Sequence, residues 1–307
     1  MSFYSKWLED FLTLDETRNF SKAAQLRHIT QPAFGRHIKA LEAAVGQQLV
    51  DRRSQPIRFT PAGKEFRSLA QSLLKQLNQG LAHINGIDPP IPDPLCIASP
   101  HSLASPTLIE LMDIAETPQS FTYSVDVLRV DLAVKSLLNG QCDFLFAFDI
   151  LALLQPPYQN LFLGAGDFLL VSKSNDIGLP LYPLGEESVP YLRYSAESYS
   201  ARLISSAQMQ QPAFNSHPIF ESSMCQLHKE MALRGKGIAW LPDCLIKEEL
   251  DSGKLVPINP EIYRIPYQVR LYRNRAPLSA EAEQFWGNLK KKSSEGWKII
   301  QAFHRAE

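Results

Sequence analysis

Cysteine is scarce in this chain of 307 residues, and the four present, Cys96, Cys142, Cys225 and Cys244, are widely spaced. No Cys-x-x-Cys pair and no histidine grouping of zinc-ligand spacing accompanies them, so buried, reduced thiols are expected rather than a metal site or a disulfide framework. Methionine is also sparse, at five. No apolar run reaches the roughly 18 residues that cross a bilayer. The start, MSFYSKWLEDFLTL, sets acids where a secretion signal needs an unbroken apolar stretch, so a cytosolic protein with no membrane partner is expected. Common catalytic signatures are missing too. There is no Gly-x-Ser-x-Gly elbow, no phosphate loop and no His-Glu-x-x-His pair, and GKG at 235–237 is too short for a dinucleotide fingerprint. The expectation is a protein that is not an enzyme, with no catalytic residues, no metal and no cofactor.

Net charge is nearly absent, at −1, but the total hides an asymmetry. Residues 1–90 carry 12 Lys and Arg against 8 Asp and Glu, and the remaining residues carry 19 against 24. A basic front on an acidic body is what a nucleic-acid-binding module joined to a second unit would show. The length agrees, being sufficient for two or three domains with separate cores.

Residues 18–49, RNFSKAAQLRHITQPAFGRHIKALEAAVGQQL, hold two short amphipathic segments separated by a turn. A preceding helix over about 6–18 turns Trp7, Leu8, Phe11 and Leu14 inward. Ser21 is expected to cap the second helix, in which Ala23 and Ala24 are small enough for a close crossing. Thr30 caps the third, with Pro32 in its first turn, where a missing N–H costs nothing. Phe34, Ile38, Leu41 and Val45 repeat at helical spacing and face a core, which leaves Gln31, Gly35, Arg36 and Lys39 outward. An amide, a guanidinium and an ammonium beside a glycine suit the major groove: Gln pairs with adenine, Arg with guanine, and Lys with phosphate or base acceptors. Helix, short turn and exposed second helix is the helix-turn-helix docking arrangement. Arg52, Arg53 and Arg58 follow around Pro56, in a segment that reads as a β wing for phosphates or the minor groove. The competing reading is a solvated polar face on an ordinary helical bundle.

Residues 60–86 read as one long helix capped by Thr60, with Pro61 in its first turn. Phe66, Leu69, Leu73, Leu77, Leu81 and Ile84 form a stripe that a helix roughly 37 Å long cannot bury by itself. A second copy of the chain is the expected cover, with packing against the helix's own body as the alternative. Four prolines in residues 88–94 then break any helix and make a hinge at 87–94. Beyond it, short apolar runs alternate with helical patterns, predicting a largely parallel sheet with helices on its faces. The run NLFLGAGDFLLVSK at 160–173 reads as paired strands. The expected division is a winged helix-turn-helix over 1–59, a linker helix over 60–86, the hinge, and a two-lobed α/β body over 95–307. In that body lobe I spans about 95–160 and 266–307, and lobe II about 161–265.

With its turn, recognition helix and wing in order, FSKAAQLRHITQPAFGRHIKALEAAVGQQLVDRR followed by FTPAGKEF resembles the LysR-type transcriptional regulators. The likeness spans essentially the whole chain, through ASPHSLASPTLIELM, LLNGQCDFLFAF and SSMCQLHKEMALRGKGIAWLPDCLIKEELDSGKLVPI. Gly35 stands where the family most often has serine, and Val50 where phenylalanine is usual. The resemblance implies an N-terminal winged helix-turn-helix, a linker helix and a periplasmic-binding-protein-like effector domain. It implies a homodimer or dimer of dimers on double-stranded promoter DNA, with RNA polymerase as a further partner if the protein activates. By the same analogy the cleft between lobes is lined by Ser99, His101 and Ser102, by Arg193, Tyr194 and Ser195, and by Ser222 and Ser223. Serines at a strand end leading into a helix also suit anions, or act as plain caps.

FLTLDETRNFSKAA, RYSAESYSARLI and ESSMCQLHKEMAL look most like the hypochlorite-responsive regulators of this class, in which sensing is attributed to methionine oxidation. Met224 is the residue this carries over; Ser200 takes what looks like another methionine position. Oxidation turns a thioether polar, which can repack a lobe interface. A core role for Met224 is the alternative, and Cys225 beside His228 and Lys229 raises a thiolate sensor instead. Other readings of the body are a cleft for a small anionic metabolite and, outside regulation, a solute-binding protein.

Overall fold

The computed structural model of this protein describes residues 4–85, 94–118 and 121–300. Three helices open it: α1 (Ser5–Thr17), α2 (Phe20–Leu26) and α3 (Gln31–Val45). Leu8, Phe11 and Leu14 of α1, Ala23 and Ala24 of α2, and Phe34, Ile38 and Leu41 of α3 close one core. Ser21 does not cap α2. It lies exposed in the first turn, and Asn19 takes the cap position, its Oδ1 accepting the Lys22 N–H at 3.0 Å. Thr30 does cap α3, with its hydroxyl 3.4 Å from the Ala33 nitrogen. The wing is a two-stranded ribbon, β1 (Val50–Asp51) against β2 (Arg58–Phe59).

The long helix, α4 (Pro61–Ile84), starts at Thr60, whose hydroxyl accepts the Gly63 N–H at 3.0 Å. Its apolar stripe serves two purposes. Phe66, only 7% exposed, stacks edge-on to Phe11 and belongs to the N-terminal core, and Leu69 packs beside it, so neither is available to a partner. Leu73, Leu77, Leu81 and Ile84 are 38%, 44%, 48% and 79% exposed. The expected stripe is therefore covered by its own chain in the first half only. The helix also touches the body: the Ser72 hydroxyl donates to the Pro277 carbonyl at 2.6 Å, and Gln71 Nε2 donates to the Asn139 carbonyl.

Except for Pro94, the expected hinge lies outside the described residues, as do 301–307 of the expected lobe I. The body is built on a nine-stranded sheet in the order β4 (Tyr123–Leu128), β3 (Leu95–Pro100), β5 (Phe144–Phe148), β11 (Arg264–Asn274), β6 (Tyr158–Lys173), β9 (Ile238–Pro242), β7 (Val189–Tyr194), β8 (Ser216–Ser222). β10 (Leu255–Pro257) adds to β6. Pairing is parallel within β4-β3-β5 and within β9-β7-β8, as alternating strands and helices predict. The antiparallel β11 and β6 run through the middle.

The expected pair of strands at 160–173 is a single strand of sixteen residues. Gly166 permits a close approach within it: an added Cβ would collide with the Asp243 carboxylate and the Tyr267 hydroxyl. Asp243, buried, accepts from the Asp167 N–H at 2.9 Å and from the Tyr267 hydroxyl at 2.5 Å, tying β6, β11 and the turn after β9 together. Helices α7 (Val130–Leu138), α8 (Tyr199–Gln208), α9 (Cys225–Leu233) and α11 (Ala280–Ser294) cover the sheet, with the short α10 (Lys247–Asp251) before β10. The helix expected over 103–115 is broken. A single turn, α5 (His101–Leu103), is separated from α6 (Ile109–Ile114) by Ser105, whose backbone is extended.

Candidate DNA interface and regulatory cleft

On the side of α3 opposite Phe34, Ile38 and Leu41, the exposed Gln31, Pro32, Arg36 and Lys39 flank the half-exposed Gly35. With Phe20, Arg52 and Ile57 they line a shallow depression of about 360 Å³. Among the described residues Arg36 and Lys39 make no ion pair, which leaves both cations available. Arg53 and Arg58 are exposed on the wing, on either side of Asp51. The Asp51 carboxyl is held below its usual range by the Ser54 hydroxyl and the Arg53 N–H, with the two arginine charges adding.

Arg52 departs from the expectation of a phosphate ligand. Its Nη2 lies 2.8 Å from Glu42 Oε2, and its guanidinium lies over the Phe20 ring. The other Glu42 oxygen accepts the N–H groups of Leu49 and Val50, both at 3.0 Å. One carboxylate on α3 thus seats the start of the wing, with Arg52 as part of the clamp. A second clamp orients α3. Buried Asp10 of α1 accepts from Arg27 Nε at 2.7 Å and meets His37 Nδ1 of α3 at 2.7 Å, and Arg27 also pairs with Glu9. The sequence reading missed Glu42, Asp10 and His37. Their signal was weak, because a polar residue near a core face looks the same whether it clamps a neighbour or faces water.

The cleft takes shape where four stretches meet: Pro100, His101 and Ser102; Leu128 to Asp131; Ser198, Tyr199 and Ser200; and Ser223 with Cys225. Three helices start at its wall. Val130, Tyr199 and Cys225 are the first residues of α7, α8 and α9, so three positive dipole ends face the space, although in α8 the Ser198 hydroxyl already accepts the Ala201 N–H at 3.1 Å. Arg129 adds a cation, bonded through Nε to Asp131 at 3.2 Å. The space between the four stretches is about 30 Å³.

Of the expected cleft residues, His101, Ser102 and Ser223 line this space, joined by the redox candidate Cys225. Ser99 is fully buried behind it, and α5 is too short to contribute a dipole. Arg193 points away, paired with Glu221 at 2.7 Å across β7 and β8, and Tyr194 is buried, donating to the Trp240 carbonyl at 3.0 Å. Ser195 and Ser222 stand outside the wall, as does half-buried Met224, whose N–H donates to the Ser222 hydroxyl at 3.1 Å. The strand ends were legible, but which face each side chain takes depends on pairing with distant strands. Arg129, Asp131, Ser198 and Tyr199 were not anticipated.

The conditions for a reactive Cys225 thiolate are not met. Burial pushes its thiol up to about 12. Lys229 is committed to Glu249 at 2.8 Å and to the Leu245 carbonyl at 3.0 Å. His228, fully buried edge-on to Tyr194 and Phe220, is driven by burial down to about 4 and is neutral. The remaining pull of Lys229 does not offset burial, so the thiol stays protonated.

Residues 5–64 match the family model described as the bacterial regulatory helix-turn-helix protein of the lysR family, and residues 91–294 match that of the LysR substrate binding domain. The chain is 39% identical over 286 residues to the HTH-type transcriptional regulator YjiE of Escherichia coli K12, covering 93% of this chain and 94% of that protein. Vibrio fischeri DarR, solved in complex with DNA, aligns at 39% identity with a TM-score of 0.59, over 94% of this chain and 99% of that one. Full-length HypT of Salmonella, described as a hypochlorite-specific LysR-type regulator, aligns at 38% identity with a TM-score of 0.62, over 95% and 99%. Its regulatory domain, solved with a bromide ion bound, aligns at 35% identity with a TM-score of 0.59, over 66% of this chain and 95% of that one.

Proposed function

The chain belongs to the LysR family of DNA-binding transcriptional regulators, and from that premise we propose that a small anion or hypohalous oxidant entering the cleft sets its occupancy on promoter DNA. The observation that carries this reading is the convergence of three helix N-termini on a space of about 30 Å³. Helix N-termini attract anions, and ligand pockets for metabolites typically measure about 300–1,000 Å³. A space an order of magnitude smaller suits a halide or hypochlorite. The relative described as hypochlorite-specific, with a regulatory domain solved with bromide, supports the same class.

In this reading residues 1–59 bind DNA, 60–86 pair with a second copy, and 95–307 receive the signal, with two dimers able to assemble further. Gln31, Arg36 and Lys39 face bases and phosphates, with Thr30 and Pro32 setting the helix start, Gly35 allowing close approach, and Arg53 and Arg58 meeting the flanking backbone. Ser21, exposed in the first turn of α2, is placed for a phosphate contact. Met224 is the reversible oxidation point: it stands between Ser223 and Cys225, both on the cleft wall, so a sulfoxide there moves the wall directly.

Selection of genomic fragments by the purified protein, at two salt concentrations and with or without brief hypochlorite treatment, tests the proposal. A paired-site motif whose occupancy changes several-fold with oxidant, with the part that dithiothreitol does not reverse lost in Met224→Leu, is expected. A motif indifferent to both hypochlorite and bromide overturns the assignment of the signal. Failure to recover any motif overturns the recognition face.

A further inference from the structure

The seam between α4 and the body brings together two cysteines that lie far apart in sequence. Cys96, half-buried on β3, and Cys142, buried just before β5, pack in the same apolar cluster beneath α7. Both line one cavity of about 140 Å³, whose opposite wall is Ser68, Gln71, Ser72 and Gln76 of α4. β3 and β5 are parallel neighbours in a register that pairs Ile97 with Phe144, and the Asp143 N–H extends it by donating to the Cys96 carbonyl at 2.9 Å. Cys142 is thus one residue off the position opposite Cys96. Ladder alternation would turn Cys142 to the opposite face, but it precedes β5 and shares the cluster and cavity of Cys96; with the Asp143 N–H on the Cys96 carbonyl, one strand spacing of about 4.8 Å and one residue step of about 3.3 Å put the two Cα atoms about 6 Å apart. Disulfides span about 4.4–6.8 Å between Cα atoms.

We infer that Cys96 and Cys142 form a redox-modification site, closing to a disulfide under hypohalous acid and thereby altering the seat of the linker helix. The inference stands independently of what occupies the cleft. Cys96, on the cavity wall, reacts first: its sulfur attacks the chlorine of hypochlorous acid, an S–Cl bond forms, the Cl–O bond breaks, and oxygen leaves as water with the thiol proton. Cys142 then attacks that sulfur, so the S–S bond forms as S–Cl breaks, and chloride and a proton depart. Two thiols and one hypochlorous acid give one disulfide, water and hydrogen chloride, with two electrons passing from sulfur to chlorine. Burial holds the Cys142 thiol up to about 12, so it is not the first to meet the oxidant, and its attack on the S–Cl sulfur requires its proton to leave in the same step.

The consequence lies in the loop between α7 and β5. Its Asn139 carbonyl accepts from Gln71, and Gly140 lies so close that an added Cβ would collide with the Gln71 side chain. A bridge drawing Cys142 toward β3 moves that loop and the part of α4 resting on it. The experiment treats the full-length protein with one to three equivalents of hypochlorous acid, alkylates the remaining thiols after denaturation and maps the peptides. A Cys96–Cys142 linked peptide lighter by two hydrogens, reversed by dithiothreitol, with Cys225 and Cys244 still alkylatable, is expected. C96S and C142S should each abolish the link and reduce the dithiothreitol-reversible part of the change in DNA occupancy several-fold. Both thiols remaining alkylatable, or oxidation to sulfonic acid without a link, overturns the site. A link that forms while both serine variants keep the full reversible response overturns the regulatory role. That last result leaves the cleft proposal standing, and loss of the Met224-dependent response leaves this one standing.

Discussion

The DNA-facing surface takes most of its side chains from the nine consecutive residues Gln31 to Lys39, whereas the cleft draws its walls from four stretches spread between Pro100 and Cys225. The first surface is open, and Arg36 and Lys39 are unpaired on it among the described residues. The second leaves about 30 Å³ between its walls, and its one lining arginine is matched by Asp131. A surface that must meet a polyanion of any sequence and then discriminate needs exposed cations on a single rigid helix. A site for a small charge can rely on backbone N–H groups, which any residue type supplies, and the cleft does so by starting three helices at one point.

The largest expected effect tests the copy number that the DNA-facing surface presumes. Leu73→Glu with Leu77→Glu, on the exposed half of α4, should dissociate the dimer entirely in sedimentation velocity, and unchanged sedimentation would remove the helix-pairing assignment. Next, Arg36→Ala should weaken operator binding by about 1–3 kcal/mol per half-site if Arg36 reads a base. An equal loss on random DNA would make it a phosphate contact and erase the distinction between reading and anchoring on that surface.

The third effect belongs to the cleft side. Burial drives His228 down to about 4, while an unfolded chain titrates near 6.5. Between those values the unfolded state binds a proton that the folded state excludes, so the stability is complete above about pH 6.5 and is lost as pH falls toward 4. Denaturant unfolding should show a loss of about 2 kcal/mol between pH 7 and pH 5 that His228→Phe largely removes. A variant with the same slope would place the proton uptake elsewhere. The smallest effect is Glu42→Gln, which keeps an acceptor for Leu49 and Val50 but loses the partly exposed pairing with Arg52. It should cost about 0.5–1 kcal/mol of stability and loosen the wing, read as weaker binding to flanking sequence.

How far each region could be read from the residues follows the same contrast. The helical spacing of Phe34, Ile38 and Leu41 assigns the opposite face of α3 without any knowledge of the rest of the chain, and Thr30 marks where it begins. Asn19 and Ser21 are both good caps two residues apart, and only backbone geometry distinguishes them. The stripe on α4 was visible as a repeat, but a repeat does not say that its owner changes from the N-terminal core at Phe66 to open surface at Leu73. In the body, the run at 160–173 with its two glycines reads as paired strands. That reading fails because a glycine can equally make room for a carboxylate brought in from Asp243, 77 residues after Gly166. Arg193 was placed on the right strand and the wrong face, since strand direction was legible and pairing was not. The neighbouring thiols of Cys96 and Cys142 were invisible for the same reason.

The ladder between β6 and β11 runs through eleven register pairs across the middle of the sheet, shifted once between Val269 and Arg270, and in the proposed division it crosses from one lobe to the other. Lobes joined by two loose threads can swing like a door, but lobes that share a plank must twist it. If a charge is captured in the cleft as proposed, it acts as a torque on this beam, at the register shift and at the Asp243 contacts that tie β6 to β11. Such a beam stores little displacement and transmits most of it. Its far end, at Asn274, lies three residues before Pro277, whose carbonyl accepts from Ser72 of α4.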